Sequence, residues 1–195
     1  MSAIRKRGLI LGLWLRSPLE IGAVAASSGP LARAMARPVN LNRPGVVVEL
    51  GGGTGAITEA LLARGVPAER LVIVERHPRL YALLKQRFPR AKVIRGDAVE
   101  LPALLTSRGI HRVNAVVSGL PLLAMSEQLQ KAIVGAAFSV MPRAGRFVQF
   151  SYGPICPVPE KVRAELGVHA HILANILWNL PPARVWVLVS RGASR

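Results

Sequence analysis

The sequence is poor in cysteine and in acidic residues. Its single cysteine, Cys156, excludes a disulfide within the chain, which is compatible with a reducing compartment. Only 10 Asp and Glu oppose 26 Lys and Arg in 195 residues, a formal net charge of +16. Such a surface attracts polyanions, so nucleic acid phosphates and anionic lipid headgroups are the expected partners. A basic protein without a polyanionic partner is the alternative.

The chain also lacks an apolar run long enough to span a membrane. The segment "GLILGLWL" follows the basic "RKR" and ends before Arg16, far short of the about 20 residues that a transmembrane helix needs. Three interpretations stay open: a secretory signal with "AVA" as its cleavage site, a core helix, and a segment on a membrane surface. In the third, Lys6 and Arg16 would meet anionic headgroups and Trp14 would lie at the interface.

From Gly45 onwards, short β-branched runs alternate with segments of helical periodicity. Strands are predicted in "GVVVEL", "RLVIVE", "AKVIRG", "VNAVVSG" and "GRFVQFSY". Helices are predicted in "AITEALLARG", "PRLYALLKQRF" and "SEQLQKAIVGAAFSVM", the last capped by Ser126. This alternation predicts a parallel sheet covered by helices on both faces. "HAHILANILWNLPPARVWVLVSR" predicts two more strands around the turn "NLPPA", an antiparallel hairpin at one edge.

A glycine-rich loop follows the first of these strands. "VVVELGGGTGAIT" places Glu49 near the end of the strand and Gly51, Gly53 and Gly55 in the turn. Glycines there let the backbone approach a ligand closely, and the next helix directs its N-terminus at the site. A nicotinamide-dinucleotide loop also fits, since Gly51, Gly53 and Ala56 match G-x-G-x-x-A. A Walker phosphate loop is excluded, because no Lys-Ser/Thr pair follows.

Carboxylates follow the next two strands. Glu75 can accept hydrogen bonds from both ribose hydroxyls of a dinucleotide or an S-adenosyl ligand, and Asp97 can reach an adenine amino group. Taken alone, Glu75 could be a solvated strand end and Asp97 a helix N-cap. Their occurrence together with the glycine loop indicates the carboxyl edge of a parallel sheet, where such folds bind ligands.

These stretches resemble the motifs of a known family. "VVVELGGGTGAITEALL", "VIVERHP", "VIRGDAVEL" and "VVSGLPLL" are similar to motifs I to IV of class I S-adenosylmethionine-dependent methyltransferases, in which an acid is typical at the position of Glu49. More narrowly, "SPLEIGAVAASSGPLARAM", "FSYGP" and "WNLPPARVW" resemble bacterial phospholipid N-methyltransferases. The resemblance implies an α/β fold with a Rossmann-like, seven-stranded, mostly parallel sheet that ends in an antiparallel hairpin. It also implies S-adenosylmethionine as cofactor and S-adenosylhomocysteine as product.

The resemblance assigns roles to matching positions. Cofactor-binding residues of the sheet domain would be Glu49, Gly51, Gly53, Gly55, Glu75, Arg76, Asp97, Ala98 and Ser118. From the N-terminal side the cofactor would be covered by Gly22, Ala23, Ser27 and Ser28. The transferable methyl group would be faced by Ser118, Gly119, Leu120 and Pro121. We expect residues 1–40 to form a membrane-surface and lid segment, and residues 41–195 the catalytic part of one domain.

The fourth motif separates two classes of methyl acceptor. Ribosomal RNA adenine dimethyltransferases resemble this chain, but their motif is similar to Asn-Leu-Pro-Tyr, where this sequence has Ser118 for the Asn and Leu122 for the aromatic residue. A flipped base needs a stacking partner, which Leu does not provide. Since the sequence ends at Arg195, we also expect it to lack the additional helical RNA-binding domain of those enzymes. We therefore expect no nucleic acid substrate.

The resemblance implies methyl transfer from S-adenosylmethionine to the amine of phosphatidylethanolamine and its methylated forms, towards phosphatidylcholine. The protonated amine must first lose a proton, and carbonyls near Ser118 and Leu120 would then orient it. Tyr152 is a candidate headgroup contact, with a rim aromatic as the alternative. We expect a monomer that acts in the cytoplasm, at the inner face of the cytoplasmic membrane.

Two further residue patterns are candidates for a metal site and for a nucleophile, and neither is favoured. His169 and His171 share one face of a strand, but no Cys or acid joins them at ligand spacing, so we expect no metal. Cys156 has no accompanying His pattern that would make it a nucleophile. Two alternatives to the lipid enzyme remain: a nucleic-acid methyltransferase, and a non-catalytic membrane- or RNA-binding protein on the same fold.

Overall fold

The computed structural model describes residues 29–177, 179 and 181–192. The strands of this part are β1 (Val46–Leu50), β2 (Leu71–Glu75), β3 (Lys92–Arg95), β4 (Val113–Ser118), β5 (Arg146–Tyr152), β6 (Val168–Ile176) and β7 (Ala183–Ser190). The α-helices of the same part are α1 (Gly29–Ala36), α2 (Ala56–Ala63), α3 (Pro78–Arg87), α4 (Leu101–Thr106), α5 (Glu127–Val140) and α6 (Glu160–Glu165). None of these helices is long and apolar enough to cross a membrane.

The seven strands form one sheet in the order β3-β2-β1-β4-β5-β7-β6. Strands β1 to β5 pair in parallel, whereas β7 runs antiparallel to both β5 and β6. The predicted parallel sheet with a terminal antiparallel hairpin is therefore confirmed. The chain moves outward from β1 to β3 and then returns to β4 on the other side of β1, so a crevice opens at the carboxyl ends of β1 and β4.

Helices cover both faces of the sheet, as predicted. On one face α1, α2 and α3 pack against the sheet through residues such as Leu31, Leu61 and Leu84, which are fully buried. On the other face α4, α5 and α6 form a second core with residues such as Leu101 and Val134. Strands β2 and β4 are buried along their whole length, because each is enclosed between the two layers. This explains their continuous apolar runs.

Helix α1 packs into the core of the sheet domain. Its residues Leu31 and Met35 have no exposed surface, and both belong to the cluster that fills the α1–α3 face of the sheet. The helix also contacts α2 and the strands β5, β6 and β7. The part of residues 1–40 that the structure describes therefore packs as an integral part of the sheet domain.

Strand β6 changes face at a β-bulge. Leu173 is an extra residue between Ile172 and Ala174, whose partners on β7 are adjacent. Before the bulge, Ala170 packs on the α4–α6 face, whereas Ala174 and Ile176 pack on the α1–α3 face. The bulge is needed because a strand without it would keep alternate residues on one face throughout.

Candidate active site

A cavity of about 680 Å³ opens at the carboxyl ends of β1, β2, β3 and β4. One half, near β2 and β3, is polar, and it includes Glu75, Arg76, His77 and Asp97. The other half, near β4 and β5, is apolar, and it includes Leu120, Pro121, Ala124, Met125, Leu129, Ile133 and Phe150. The glycine loop after β1 lies between the two halves. We call these the polar half and the apolar half of the cavity.

The glycine loop uses two of its glycines for different reasons. Gly51 has φ +73°, and a Cβ there would lie 2.7 Å from Cδ2 of Leu120, so only glycine allows this close approach. Gly53 has φ +55°, but a Cβ there would meet no atom within 4 Å. The backbone at Gly53 therefore faces open space in the cavity, as a loop that receives a ligand should.

Glu75 holds the loop in place from the polar half. Its carboxylate is almost fully buried; Oε2 accepts a hydrogen bond from the Gly53 amide at 3.0 Å, and Oε1 accepts one from the His77 amide at 2.8 Å. Each carboxylate oxygen can accept a second hydrogen bond. The group thus has the position and the spare acceptors needed for ribose hydroxyls.

Asp97 lies beside Glu75 at the end of β3. Its Oδ1 accepts a hydrogen bond from the Val99 amide at 3.2 Å, and its Oδ2 lies 3.4 Å from Nη1 of Arg76. Asp97 therefore caps a short turn, and it also lines the cavity next to Ala98. The two interpretations of this residue are compatible, because capping uses only one oxygen.

Glu49 does not line the cavity, contrary to expectation. It is fully buried beneath the glycine loop, where Oε2 accepts a hydrogen bond from Oγ1 of Thr58 at 2.6 Å. Its Oε1 has no partner among the described residues. Burial raises the pKa of Glu49 to about 8; the Thr58 hydrogen bond opposes this increase and the charge of Glu75 adds to it. A buried carboxyl group with one unpartnered oxygen, beneath the loop, fits a site that receives a cationic ligand, because the ligand would favour its ionised form.

Gly55 and Ser118 also lie outside the cavity lining. Gly55 has φ +95°, and a Cβ there would lie 2.5 Å from Cε2 of Phe88, so both the backbone conformation and the approach of this ring favour glycine. Ser118 is fully buried, and its Oγ accepts a hydrogen bond from the Leu120 amide at 3.3 Å. Its hydroxyl oxygen therefore helps to shape the turn after β4, and the expected proximity of Ser118 to the methyl group stays a prediction.

Tyr152 is not a cavity residue either. Its ring packs edge-on against Phe150, with centroids 5.3 Å apart, and burial raises the pKa of its hydroxyl. Phe150, two residues earlier on β5, lines the cavity in its place. The structure thus places Tyr152 where the alternative, a rim aromatic, would lie, and the headgroup contact stays a prediction.

The turn after β4 contributes Gly119, Leu120 and Pro121 to the cavity. The Leu120 carbonyl accepts hydrogen bonds from the Leu122 amide and from Nε2 of Gln149, both at 2.9 Å, so it is not available to orient an amine. The Gly119 amide donates to the Leu50 carbonyl at 2.8 Å. No donor among the described residues contacts the Gly119 carbonyl, which makes it the better candidate for that role.

Two buried glutamines fix this turn, and the sequence analysis missed both. Nε2 of Gln149 donates to the carbonyls of Leu120 and Phe150. Nε2 of Gln130 donates to the carbonyls of Leu122 and Met125, at 2.8 and 3.1 Å. A glutamine inside the apolar strand "RFVQFSY" was the available signal, because a buried polar side chain needs a partner.

We expect Gln149→Leu to lower the rate of methyl transfer about tenfold while leaving cofactor affinity nearly unchanged, because the turn that positions the acceptor loses its side-chain donor. Single-turnover kinetics measures the rate of methyl transfer, and calorimetry measures the affinity for the cofactor. Ser151→Ala is the matched control, since Ser151 lies on the same strand but bonds Trp186 at 2.9 Å. Equal kinetics in Gln149→Leu and the wild type would contradict the positioning role.

Seven of the predicted site residues belong to the first 28 positions of the sequence. Lys6, Trp14, Arg16, Gly22, Ala23, Ser27 and Ser28 lie outside the described residues. Ser126 caps α5 as predicted, with its side chain accepting from the Leu129 amide. Within the part of the chain that the structure describes, no three His, Cys, Asp or Glu residues form a group that could hold a metal ion. Burial raises the pKa of the Cys156 thiol, which opposes a role as nucleophile.

The residues present fit S-adenosylmethionine. Glu75 would bind the ribose, Asp97 and Ala98 the adenine edge, and the backbone of Gly51 and Gly53 the methionine portion. This assignment places the transferable methyl group towards the apolar half of the cavity.

Sequence comparison gives the family. The family model described as ribosomal RNA adenine dimethylase matches residues 31–149. An ornithine lipid N-methyltransferase from Singulisphaera acidiphila is 36% identical over 149 residues, which are 75% of this chain and 78% of that protein. The probable ribosomal RNA small subunit methyltransferase A of Methanococcoides burtonii is 26% identical over 80% of this chain, but the match spans only 57% of that relative.

Solved structures agree on the fold. The chain is similar to the 1,6-didemethyltoxoflavin-N1-methyltransferase of Burkholderia thailandensis, with a TM-score of 0.63 and 16% identity over 97% of this chain and 91% of that one. At that identity the likeness shows the fold alone. The fold and the cavity agree with the family match. The chain therefore belongs to the ribosomal RNA adenine dimethylase family of class I S-adenosylmethionine-dependent methyltransferases.

Proposed function

We propose that this methyltransferase acts on the primary amine of a lipid headgroup, with phosphatidylethanolamine as the first candidate, at the inner face of the cytoplasmic membrane. The observation that carries the proposal is the apolar half of the cavity. The residues that face the expected methyl position there are aliphatic or aromatic, and Gly119 adds a backbone carbonyl. An alkylamine needs one acceptor and an apolar wall, and this half supplies both.

A nucleobase would be poorly served by the same half. Ser126 is the one residue with a polar side chain among its described lining residues, and its oxygen already accepts a hydrogen bond in capping α5. Leu122, at the position of the stacking aromatic in the RNA enzymes, is 1% exposed and packs into the core. Phe150 does line the cavity, but it is buried and packs edge-on with Tyr152. A flipped base would therefore lack the stacking partner that the RNA enzymes provide, and the Gly119 carbonyl alone would serve its polar edge.

The chemistry requires little from reactive side chains. S-adenosylmethionine supplies an electrophilic methyl group when it is bound. The Gly119 carbonyl would accept a hydrogen bond from the neutral amine and align its lone pair with the methyl position. The apolar wall of Leu120, Pro121 and Phe150 would exclude water from the site and disfavour the protonated form of the amine. The amine would therefore release its proton to solvent as it enters the cavity. Transfer forms the N–C bond and breaks the S–C bond.

Exposed apolar side chains beside the cavity support a membrane site for the reaction. Leu123 and Leu129 follow β4, Ile155 follows β5, and Leu177 follows β6; Ile155 is 64% and Leu177 73% exposed. Since β4, β5 and β6 run in the same direction, these side chains lie along the same edge of the sheet as the cavity. Leu129 also lines the cavity, so an apolar edge that reaches the site fits contact with acyl chains.

The relatives support two acceptor classes. The ornithine lipid N-methyltransferase favours an amine on a lipid, although its name does not indicate phosphatidylethanolamine. The family model and the ribosomal RNA methyltransferases favour adenine of ribosomal RNA, which is the second candidate.

The decisive assay offers radiolabelled S-adenosylmethionine with vesicles of phosphatidylethanolamine, vesicles containing ornithine lipid, and small-subunit ribosomal RNA. We expect label in the phosphatidylethanolamine fraction, resolved by thin-layer chromatography into mono-, di- and trimethylated forms. Label in ornithine lipid alone would correct the headgroup and keep the lipid class. Label in RNA alone would overturn the proposal. Heat-denatured protein is the control for non-enzymatic methylation.

A further inference from the structure

A second cavity lies in the α1–α2 layer and shares no residue with the active site. Its floor consists of small apolar side chains from three elements: Ala34 of α1, Ala60 of α2, and Ala174 and Ile176 of β6. The bulge in β6 turns the last two residues to this face. The volume is about 480 Å³, within the range of ligand pockets. We call it the α1–α2 groove.

Three arginines, Arg33, Arg37 and Arg64, line the same groove, and we call them the arginine rim. The Arg37 amide donates to the Arg33 carbonyl at 3.2 Å, so the two side chains leave the backbone one helical turn apart. Nη2 of Arg64 donates to the Arg37 carbonyl at 3.3 Å, which brings the third guanidinium to them. All three residues are exposed.

The arginine rim has no counter-charge in the described part of the chain. The ion pairs found there join Arg76 to Asp97, Arg87 to Glu59, Arg90 to Glu69 and Lys131 to Glu165, and none involves the rim. Like charges one helical turn apart repel each other. A bound anion would relieve this repulsion, and guanidinium groups match the paired oxygens of a phosphate.

We propose that the α1–α2 groove binds one anionic phospholipid molecule of the membrane surface, with its phosphodiester on the arginine rim and an acyl chain against the apolar floor. The floor decides between possible anions. A nucleic acid phosphate would use the three charges but leave the exposed Ala63 and the half-buried Ala174 and Ile176 uncovered, whereas a lipid covers both parts of the site. The inference rests on the proposed function and deepens it. The anionic lipid in the groove would not be the methyl acceptor; it would hold the enzyme at the membrane that contains the acceptor lipid.

The first test replaces the rim charges. The triple variant Arg33→Gln, Arg37→Gln, Arg64→Gln is compared with the control triple variant Arg108→Gln, Arg143→Gln, Lys161→Gln, which loses the same charge near the helices of the opposite layer. Sedimentation is measured with phosphatidylcholine vesicles with and without phosphatidylglycerol. We expect the rim variant to bind anionic vesicles about 100-fold more weakly, since each basic residue at an anionic surface contributes about fivefold. The control should change by less than about threefold, because its charges belong to the helical layer on the opposite face of the sheet from the groove.

The second test examines the apolar floor. Calorimetry compares dihexanoylphosphatidylglycerol, below its micelle concentration, with glycerol phosphate, which has the anion without the acyl chains. We expect the amphiphile to bind at least about tenfold more tightly to the wild type, since burying apolar chain surface is favourable. Equal affinities would identify a simple anion site and overturn the lipid proposal. An RNA oligonucleotide that loses affinity with the rim variant while vesicle binding is unchanged would overturn it in favour of nucleic acid.

These outcomes separate the groove from the reaction. Both triple variants should bind S-adenosylmethionine as the wild type does, which also shows that they are folded. If the wild type methylates no lipid, the proposed function fails, but the vesicle comparison still tests the groove. If the rim variant binds anionic vesicles as tightly as the wild type, the groove proposal fails, and methyl transfer is unaffected.

Discussion

Glu75→Ala should weaken the binding of S-adenosylmethionine by about 100-fold, near the upper end of the about 1–3 kcal/mol expected when a buried hydrogen-bonding partner is lost. The substitution removes the acceptor predicted for the ribose hydroxyls. It also removes the acceptor of the Gly53 and His77 amides, so the glycine loop loses its anchor at the same time. Calorimetric titration of the purified variant measures both the affinity and the enthalpy.

Glu75→Gln is not a neutral substitute. Both carboxylate oxygens accept from backbone amides, and an amide side chain would direct an NH₂ group at one of those donors. We expect it to behave more like the alanine variant than like the wild type. Glu100→Ala is the control, because Glu100 is an exposed acid close to the same edge of the sheet. A Glu75→Ala affinity within about threefold of the wild type would show that the ribose assignment is incorrect.

The sequence predicts well those parts of the site that follow from strand ends. Short runs with apolar residues mark β1 to β5, and parallel strands bring their carboxyl ends to one edge. The sequence alone therefore places Glu75 and Asp97 beside the glycine loop. The terminal hairpin followed from a turn between two apolar runs. These inferences depend on residues close in sequence, and for that reason they are accessible to pattern analysis.

What the sequence does not predict depends on contacts between distant segments. Gln149 bonds a carbonyl 29 positions away, and nothing in its neighbourhood indicates which one. Glu49 was expected in the cavity, but Thr58, in the first turn of α2, draws the side chain beneath the loop. Helices α4 and α6 are six residues each, too short to show helical periodicity. Arg33 and Arg64 are far apart in the sequence, and they meet in the arginine rim because α1 and α2 pack against each other.

The buried Glu49 makes the stability of the protein depend on pH. Its pKa is about 8 in the folded protein and 4.5 ordinarily, so between these values the folded state holds a proton that the unfolded state has released. The free energy of unfolding therefore falls as the pH rises from about 5 to about 8 and is level above that. At about 1.4 kcal/mol per pH unit, the loss is at most about 5 kcal/mol.

Glu49→Gln should remove most of this loss. The amide oxygen can still accept from Thr58, and the neutral group has no charge to desolvate, so the variant should be the more stable protein at pH 8 and similar to the wild type at pH 5. Urea unfolding at several pH values measures the difference, with Glu100→Gln as the exposed control. A wild-type stability that rises over this range would contradict the assignment.

Cofactor binding to the wild type should also release a proton near pH 7, because a cation bound at the loop favours the ionised Glu49 carboxylate. The release is detected by calorimetry, as a binding enthalpy that varies with the ionisation enthalpy of the buffer. The Gln variant should release none, and this difference would connect the buried acid to the cofactor without requiring that it touch the ligand.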